Sequence, residues 1–179
     1  MQVHKTRLKD VLLIEPKVFR DDRGFFLETY SQKRYQDAGI PQPFVQDNRA
    51  FSSHGVLRGL HFQIQNPQGK LVSASIGEVF DVAVDLRQES PTYGMWEGFH
   101  ISAENCKQVY IPPGFAHGYL VLSKTAEFLY KCTDYYAAGD EGGILWNDPD
   151  LAIEWPVSEP ILSQKDLVLP RLKDLPKYF

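Results

Sequence analysis

Twelve prolines and thirteen glycines cut the chain into short runs rich in Val, Ile, Leu, Phe and Tyr, and this punctuation narrows the fold more than any other feature. Proline removes a backbone donor and glycine favours turns, so long helices and long continuous strands are disfavoured. Many short strands between frequent turns predict an all-β sandwich or barrel. The runs expected as strands are Val11–Glu15, Phe25–Tyr30, Phe44–Phe51, Gly55–Gln63, Lys70–Ile76, Glu78–Leu86, Trp96–Ile101, Cys106–Ile111, Ala116–Leu122 and Ala126–Thr133. The IGE of Ile76–Glu78 and the PPGF of Pro112–Phe115 read as turns. One short N-terminal helix is expected at Gln32–Ala38, with Ser31 as its cap and Gly39 at its end, and a brief one in the tail after Ser163.

At 179 residues the chain suits one domain, and its 43% hydrophobic and 13% aromatic content provides for a core. The net charge of −4 lacks the basic surplus of a general nucleic-acid binder, so no nucleic-acid partner is expected. Cys106 and Cys132 form neither a CxxC pair nor a zinc spacing, and read as reduced, buried thiols. The N-terminal VLLI run before Glu15 and Pro16 is too short for a signal-peptide core or a membrane span. A cytoplasmic location without a membrane partner is therefore expected.

Glu78–Leu86 alternates cleanly. Phe80, Val82, Val84 and Leu86 point one way, and Val79, Asp81, Ala83 and Asp85 the other. Two readings stay open: a half-buried strand with its acidic side in water, or an aspartate turned into a polar lumen near histidines, which a small barrel can enclose.

Three segments set polar groups among apolar neighbours. GVLRGLHFQ (55–63) offers Arg58 and His61, PPGFAHGYLVL (112–122) offers His117, and EFLYKCTDYY (127–136) offers Tyr130, with Lys131 pointing oppositely. A single strand histidine is more often a hydrogen-bonded structural residue than a catalyst; three such segments in one small chain favour a site. Strict alternation sends Arg58 and His61 to opposite faces, unless Gly59 sits in a bulge that restores a common one. On its own, Lys70 reads as an exposed lysine at a strand start.

Pro112, Gly114 and His117 are spaced as in the second cupin motif, P-x-G-x-x-H. The earlier strand supplies only His61-Phe62-Gln63 and no H-x-H pair, and His4, His54 and His100 have no ligand spacing, so no metal is expected. DDRGFFLETY, FVQDNRAFSSHGVLRGLHFQ, PQGKLVSASIGEVFDVAVDLR, YIPPGFAHGYLVLS and LSQKD, in that order along nearly the whole chain, resemble the dTDP-4-dehydrorhamnose 3,5-epimerases. One departure is Arg49, at the edge of the site pattern, where many of these proteins have histidine.

The resemblance implies a cupin-type double-stranded β-helix, or jelly roll, over residues 1–179, with short peripheral helices. It implies no cofactor and inversion of carbons 3 and 5 of dTDP-4-dehydro-6-deoxy-D-glucose. Both carbons are α to a ketone, so the chemistry needs a base on one side, an acid on the other, and a cation or donor beside the enolate oxygen. By motif position His61 is the base, Asp166 its carboxylate partner, Tyr130 the acid and Lys70 the cation; the residues alone do not choose Asp166 over Asp81 or Asp85. Arg58 and His117 line the sugar and phosphate side. Arg23, Glu28, Gln46, Asn48, Glu141 and Lys165 serve the nucleotide end. A homodimer is implied, with the N-terminal segment crossing to the partner so that Arg23 and Glu28 serve its site. The alternatives are a single-carbon epimerase or ketoisomerase on a related dTDP-4-keto-6-deoxy sugar, a non-catalytic sugar-binding cupin, or a cupin dioxygenase, which would need iron.

Overall fold

The alternating run at the centre of the sequence becomes the centre of the fold. In the computed structural model, which describes residues 1–179, Glu78–Asp85 is a strand buried along all but its first residue. Val79 and Ala83 pack between two sheets, while Phe80, Val82 and Val84 pack outward beneath the C-terminal segment, with Leu86 just beyond the strand. The reading that left the acidic face in water is thereby overturned, because that face is the barrel interior. Asp81 and Asp85 are fully buried there.

In chain order the strands are β1 (Gln2–Lys5), β2 (Leu12–Glu15), β3 (Val18–Asp21), β4 (Gly24–Leu27), β5 (Gln46–Ser53), β6 (Leu57–Gln63), β7 (Lys70–Ile76) and β8 (Glu78–Asp85). They continue as β9 (Trp96–Ser102), β10 (Gln108–Ile111), β11 (Phe115–Val121), β12 (Thr125–Cys132) and β13 (Glu141–Gly143). One sheet has the order β1-β2-β10-β7-β12-β5 and the other β13-β6-β11-β8-β9, every pairing antiparallel; β3 and β4 form a separate hairpin. Facing sheets joined by strands that alternate between them make the jelly roll expected from the sequence.

The expected strands are all present, with shifted ends. The run expected from Gly55 begins at Leu57, because Gly55 has φ +77° and turns the chain. The run expected from Cys106 begins at Gln108, because Cys106 itself lies at φ +54°. Phe25–Tyr30 is replaced by Gly24–Leu27, and Phe44–Phe51 by Gln46–Ser53. Three short strands, β1, β3 and β13, had no expectation attached. The helix α1 covers Gln32–Asp37 and is pinned by buried Tyr35, whose hydroxyl donates to Gln108 Oε1 at 2.6 Å. Ser31 stands at the cap position but its side chain makes no capping bond. The tail holds two 3₁₀ turns, Asp166–Val168 and Leu172–Asp174, in place of one helix. Leu169 between them is extended, as a residue before proline prefers.

The tail nevertheless fixes the site. Leu57 N–H donates to Ile161 O at 3.0 Å and Ile161 N–H to Gly55 O at 2.8 Å, so Ile161 runs beside the start of β6. Farther on, Leu145 N–H donates to Pro170 O, and Asp148, itself buried, accepts Leu172 N–H at 2.7 Å. The segment between these anchors, 162–169, is laid across the mouth of the barrel.

Candidate active site

Four interior rows of side chains converge on one cavity of about 410 Å³. Strand alternation turns His117 and Tyr119 of β11 inward, Phe128 and Tyr130 of β12 inward, and Lys70 inward at the start of β7. On β6, Arg58 and His61 both line the cavity although they are three residues apart. The register explains this: His61 faces His117 and Arg58 faces Tyr119, so Gly59 and Leu60 together oppose the single residue Gly118. That is the bulge expected at Gly59. It requires glycine on both strands, since a Cβ on Gly59 would lie 2.6 Å from Gly118 Cα and one on Gly118 would lie 2.7 Å from Arg58 O.

Each inward histidine has its own carboxylate. His61 Nε2 lies 2.6 Å from Asp166 Oδ1, across 105 residues of sequence. The tail therefore delivers the partner, and Asp166 is chosen over Asp81 and Asp85. His117 Nε2 lies 2.7 Å from Asp81 Oδ2, which shows that the second reading of the Glu78–Leu86 alternation holds for this aspartate. Asp85 is occupied elsewhere, by Arg87, Ser90 and Thr92. No three His, Cys, Asp or Glu side chains gather in an arrangement that could hold a metal ion.

The electrostatics follow from burial. Desolvation pulls the His61 pKa below its usual 6.5, against the opposing pull of the Asp166 hydrogen bond and charge. Burial likewise lowers Lys70 from 10.5, with partial compensation from Cys132, Asp81 and Glu141. It raises Tyr130 above 10.0. At neutral pH the arrangement therefore holds an uncharged imidazole and an uncharged phenol. The Lys70 side chain makes no ion pair and no hydrogen bond, which leaves its terminal nitrogen free to meet something that enters the cavity.

The base-like and acid-like groups stand on opposite walls: His61 belongs to the five-stranded sheet, Tyr130 and Lys70 to the six-stranded one. Of the other residues singled out in the sequence, Lys165 lines the cavity and is paired with Glu141 at its edge. Gln46 and Asn48 sit on β5 beside it, bonded to each other at 3.1 Å, and do not line it. Arg23 and Glu28 are not brought to the cavity at all. Arg23 lies at the tip of the β3–β4 hairpin, held by Asp21, and Glu28 pairs with Arg34 at 3.2 Å. Arg49, expected at the edge of the site, points from β5 to the outer face of the sheet and bonds Glu127 there. Lys131 also points outward, to Asp47 at 2.8 Å, as expected. Both cysteines are free thiols.

Sequence reasoning missed Ser52, Tyr119 and Phe128. Alternation carried the signal: Tyr119 stands two residues beyond His117, Phe128 two before Tyr130, and Ser52 in phase with Gln46 and Asn48.

With this geometry in view, comparison with known proteins is direct. The family model described as dTDP-4-dehydrorhamnose 3,5-epimerase matches residues 5–174. The dTDP-4-dehydrorhamnose 3,5-epimerase of Pseudomonas aeruginosa is 58% identical over 168 residues, covering 93% of each chain. That of Salmonella typhimurium is 57% identical over 175 residues, covering 96% of each. Among solved structures, the dTDP-6-deoxy-D-glucose-3,5-epimerase of Legionella pneumophila, in complex with dTDP-4-keto-L-rhamnose, superposes with a TM-score of 0.95 at 51% identity. That match covers 98% of this chain and 94% of the other.

Proposed function

The chain belongs to the dTDP-4-dehydrorhamnose 3,5-epimerase family, and from that membership we propose how its cavity inverts two carbons of one sugar. The enzyme is an isomerase of dTDP-rhamnose biosynthesis, acting on a nucleotide-linked 4-keto-6-deoxyhexose. A hydrogen on carbon 3 or carbon 5 is acidified by the ketone at carbon 4, so its removal leaves an enolate, and a proton returned to the other face inverts the centre. Protons are the only groups that move, so the chemistry calls for no redox or metal partner.

His61 takes the proton. Asp166 holds its Nε2, which leaves Nδ1 as the nitrogen without a partner, and the carboxylate stabilises the imidazolium as it forms. Tyr130, kept protonated by burial, supplies the proton from the opposite wall. The free ammonium of Lys70 meets the enolate oxygen, a role of the kind worth about 3–4 kcal/mol in an oxyanion hole. The single observation that carries this reading is the placement of a carboxylate-held imidazole and a protonated phenol on facing sheets of one cavity that also holds an unpaired ammonium.

Arg58, His117 and Lys165 would take the phosphate and sugar oxygens, with Glu141 setting Lys165, and Gln46 and Asn48 would receive the nucleotide end beside them. Arg23 and Glu28 enter through a second copy of the chain. Phe19, Phe25 and Phe26 of the β3–β4 hairpin are 52%, 55% and 69% exposed, an apolar surface that a homodimer would cover while carrying Arg23 to the neighbour's cavity. In this reading residues 1–179 act as one epimerase unit in the cytoplasm, with an N-terminal segment serving the dimer, a short C-terminal tail closing the site, and neither nucleic acid nor membrane as partner. No helix is long and apolar enough to cross a membrane.

The test is isotope exchange. The protein is incubated with dTDP-4-dehydro-6-deoxy-D-glucose in heavy water, deuterium at carbons 3 and 5 is followed by NMR, and the product is trapped with a reductase. Label at both carbons and an L-sugar product is the expected result. Label at one carbon alone would replace double inversion with single inversion, and none at all would refute catalysis.

A further inference from the structure

Only two buried side-chain polar atoms in the whole protein lack a hydrogen-bond partner: the hydroxyl of Tyr119, which lines the cavity, and Asp81 Oδ1, behind the cavity-lining His117. Buried polar groups are overwhelmingly satisfied, so an orphan in a functional cavity asks for a reason. Asp81 already has one through its bond to His117. Tyr119 does not. Its ring is nine-tenths buried and stacks on Phe128 with centroids 4.1 Å apart, which a phenylalanine would do equally well. The hydroxyl is what packing does not account for.

Its surroundings supply an account. Across the sheet Tyr119 stands in register with Arg58 on one side and Asp81 on the other. Arg58 Nε–H donates to Ser52 Oγ at 3.1 Å, and this is the one hydrogen bond the guanidinium makes; its terminal nitrogens are open to the cavity. Ser52 Oγ accepts that bond and keeps one lone pair and its own proton unspent. Ser52 is thus bonded to the very guanidinium that stands in register with Tyr119, yet the tyrosine hydroxyl makes no hydrogen bond; burial pushes its pKa up, while the Arg58 charge and then Ser52 draw it back. Tyr119 and Ser52 thus each hold a donor and an acceptor that nothing else uses, and they are neighbours.

We infer that Tyr119 is a positioning residue for Arg58: through Ser52 its hydroxyl closes a row Arg58–Ser52–Tyr119 that holds the guanidinium on the anionic end of the substrate. The inference rests on the reading that Arg58 meets the substrate's diphosphate. In the unliganded protein the row is one bond short. When an anion engages the free guanidinium nitrogens, Arg58 draws Ser52 Oγ into line and the last bond forms, each bond polarising the next. Tyr119 touches no reacting carbon in this scheme, so it acts on binding and not on proton transfer.

Tyr119→Phe removes the hydroxyl and keeps the stacked ring. Isothermal titration with dTDP, a probe without the sugar, should show affinity about 2- to 13-fold weaker, the range of one neutral hydrogen bond. The same loss should appear in KM for the 4-keto sugar and not in kcat. Ser52→Ala should weaken dTDP to a comparable degree, and the double variant should be no weaker than either single one, since both break the same row. Thermal unfolding without ligand should stay at the same midpoint or rise, because the substitution removes an unsatisfied buried hydroxyl. Unchanged dTDP affinity in Tyr119→Phe, losses that multiply in the double variant, or a loss confined to kcat would each overturn the inference. Because dTDP binding needs no turnover, these outcomes are read even if the wild-type protein failed the isotope test above.

Discussion

Replacing Asp166 by Asn tests the site at its most specific point. The carboxylate is almost wholly buried, 2.6 Å from His61 Nε2, and Asn keeps its size while removing the charge. A hydrogen bond to a charged group contributes about 1.5–3 kcal/mol, and losing that much stabilisation of the imidazolium slows kcat by about 10- to 150-fold. A second consequence has a sign that packing damage would not mimic. As the proposed base His61 must be neutral to take a proton, and its pKa is already below 6.5, so activity is expected to be full above that value and to fall as pH drops through the lowered one. Asp166 is what pulls the pKa upward, against the larger effect of burial. Without its charge the imidazole is harder to protonate, and the acid limb of kcat/KM against pH moves to still lower pH while the plateau sinks. A coupled reductase assay across the acid range, with a circular dichroism spectrum to verify the fold, measures both. A limb that stays in place or moves to higher pH would refute the pairing as the source of the histidine's basicity, whatever happens to the rate.

Two further outcomes probe assembly and architecture. Arg23→Ala and His61→Ala, each inactive alone, should regain activity when the two proteins are unfolded and refolded together, because a mixed dimer with crossed sites carries one site free of both substitutions; mixtures as inactive as the parents would exclude a shared site. Gly59→Ala should destabilise the protein by about 3 kcal/mol in denaturant unfolding and abolish turnover, because its Cβ would press on Gly118 Cα and His117 O at a φ of +122°; a stable, active variant would show that the bulge adapts and that the close approach is not needed.

What could be seen in the sequence, and what could not, divides along contact range. The alternation of Glu78–Leu86 announced a strand, and the spacing around Gly59 announced a bulge, because both are written in neighbouring residues. The fate of the acidic face of β8 was not written locally: it depends on β12 and β7 covering one side and on the C-terminal segment, with Trp155 and Leu151, covering the other. The short strands β1, β3 and β13 carry charges or consecutive glycines, as in VFRD and EGG, and exist only because a partner strand supplies their hydrogen bonds. Asp166 is the sharpest case. Nothing near it in sequence points to His61, and only a resemblance spanning the chain could select it over Asp81 and Asp85. Tyr119 and Ser52 are the reverse case, since their phase along the strand was visible while their significance depends on which hydroxyl lacks a partner.

The pattern of satisfied and unsatisfied groups explains why this cavity reacts while the rest of the interior merely packs. Away from the site, buried Asp85 and Asp148 are supplied with donors: Asp85 fixes Arg87, whose guanidinium donates to Asp10 and to Lys9 O in the N-terminal segment, and Asp148 accepts Leu172 N–H from the tail. Inside the cavity the accounting is left open on purpose-built terms: each histidine has one nitrogen held and one free, Lys70 has no partner, and Arg58 has a single bond at Nε. Such incomplete satisfaction costs stability, and a fold tolerates it where a ligand completes it. A barrel makes this feasible, because its two sheets can bury the flanks of polar side chains while leaving their reactive ends facing across a space. In the proposed mechanism a base on one sheet and an acid on the other approach a flat enolate from opposite faces, so that inversion needs neither side chain to move between them.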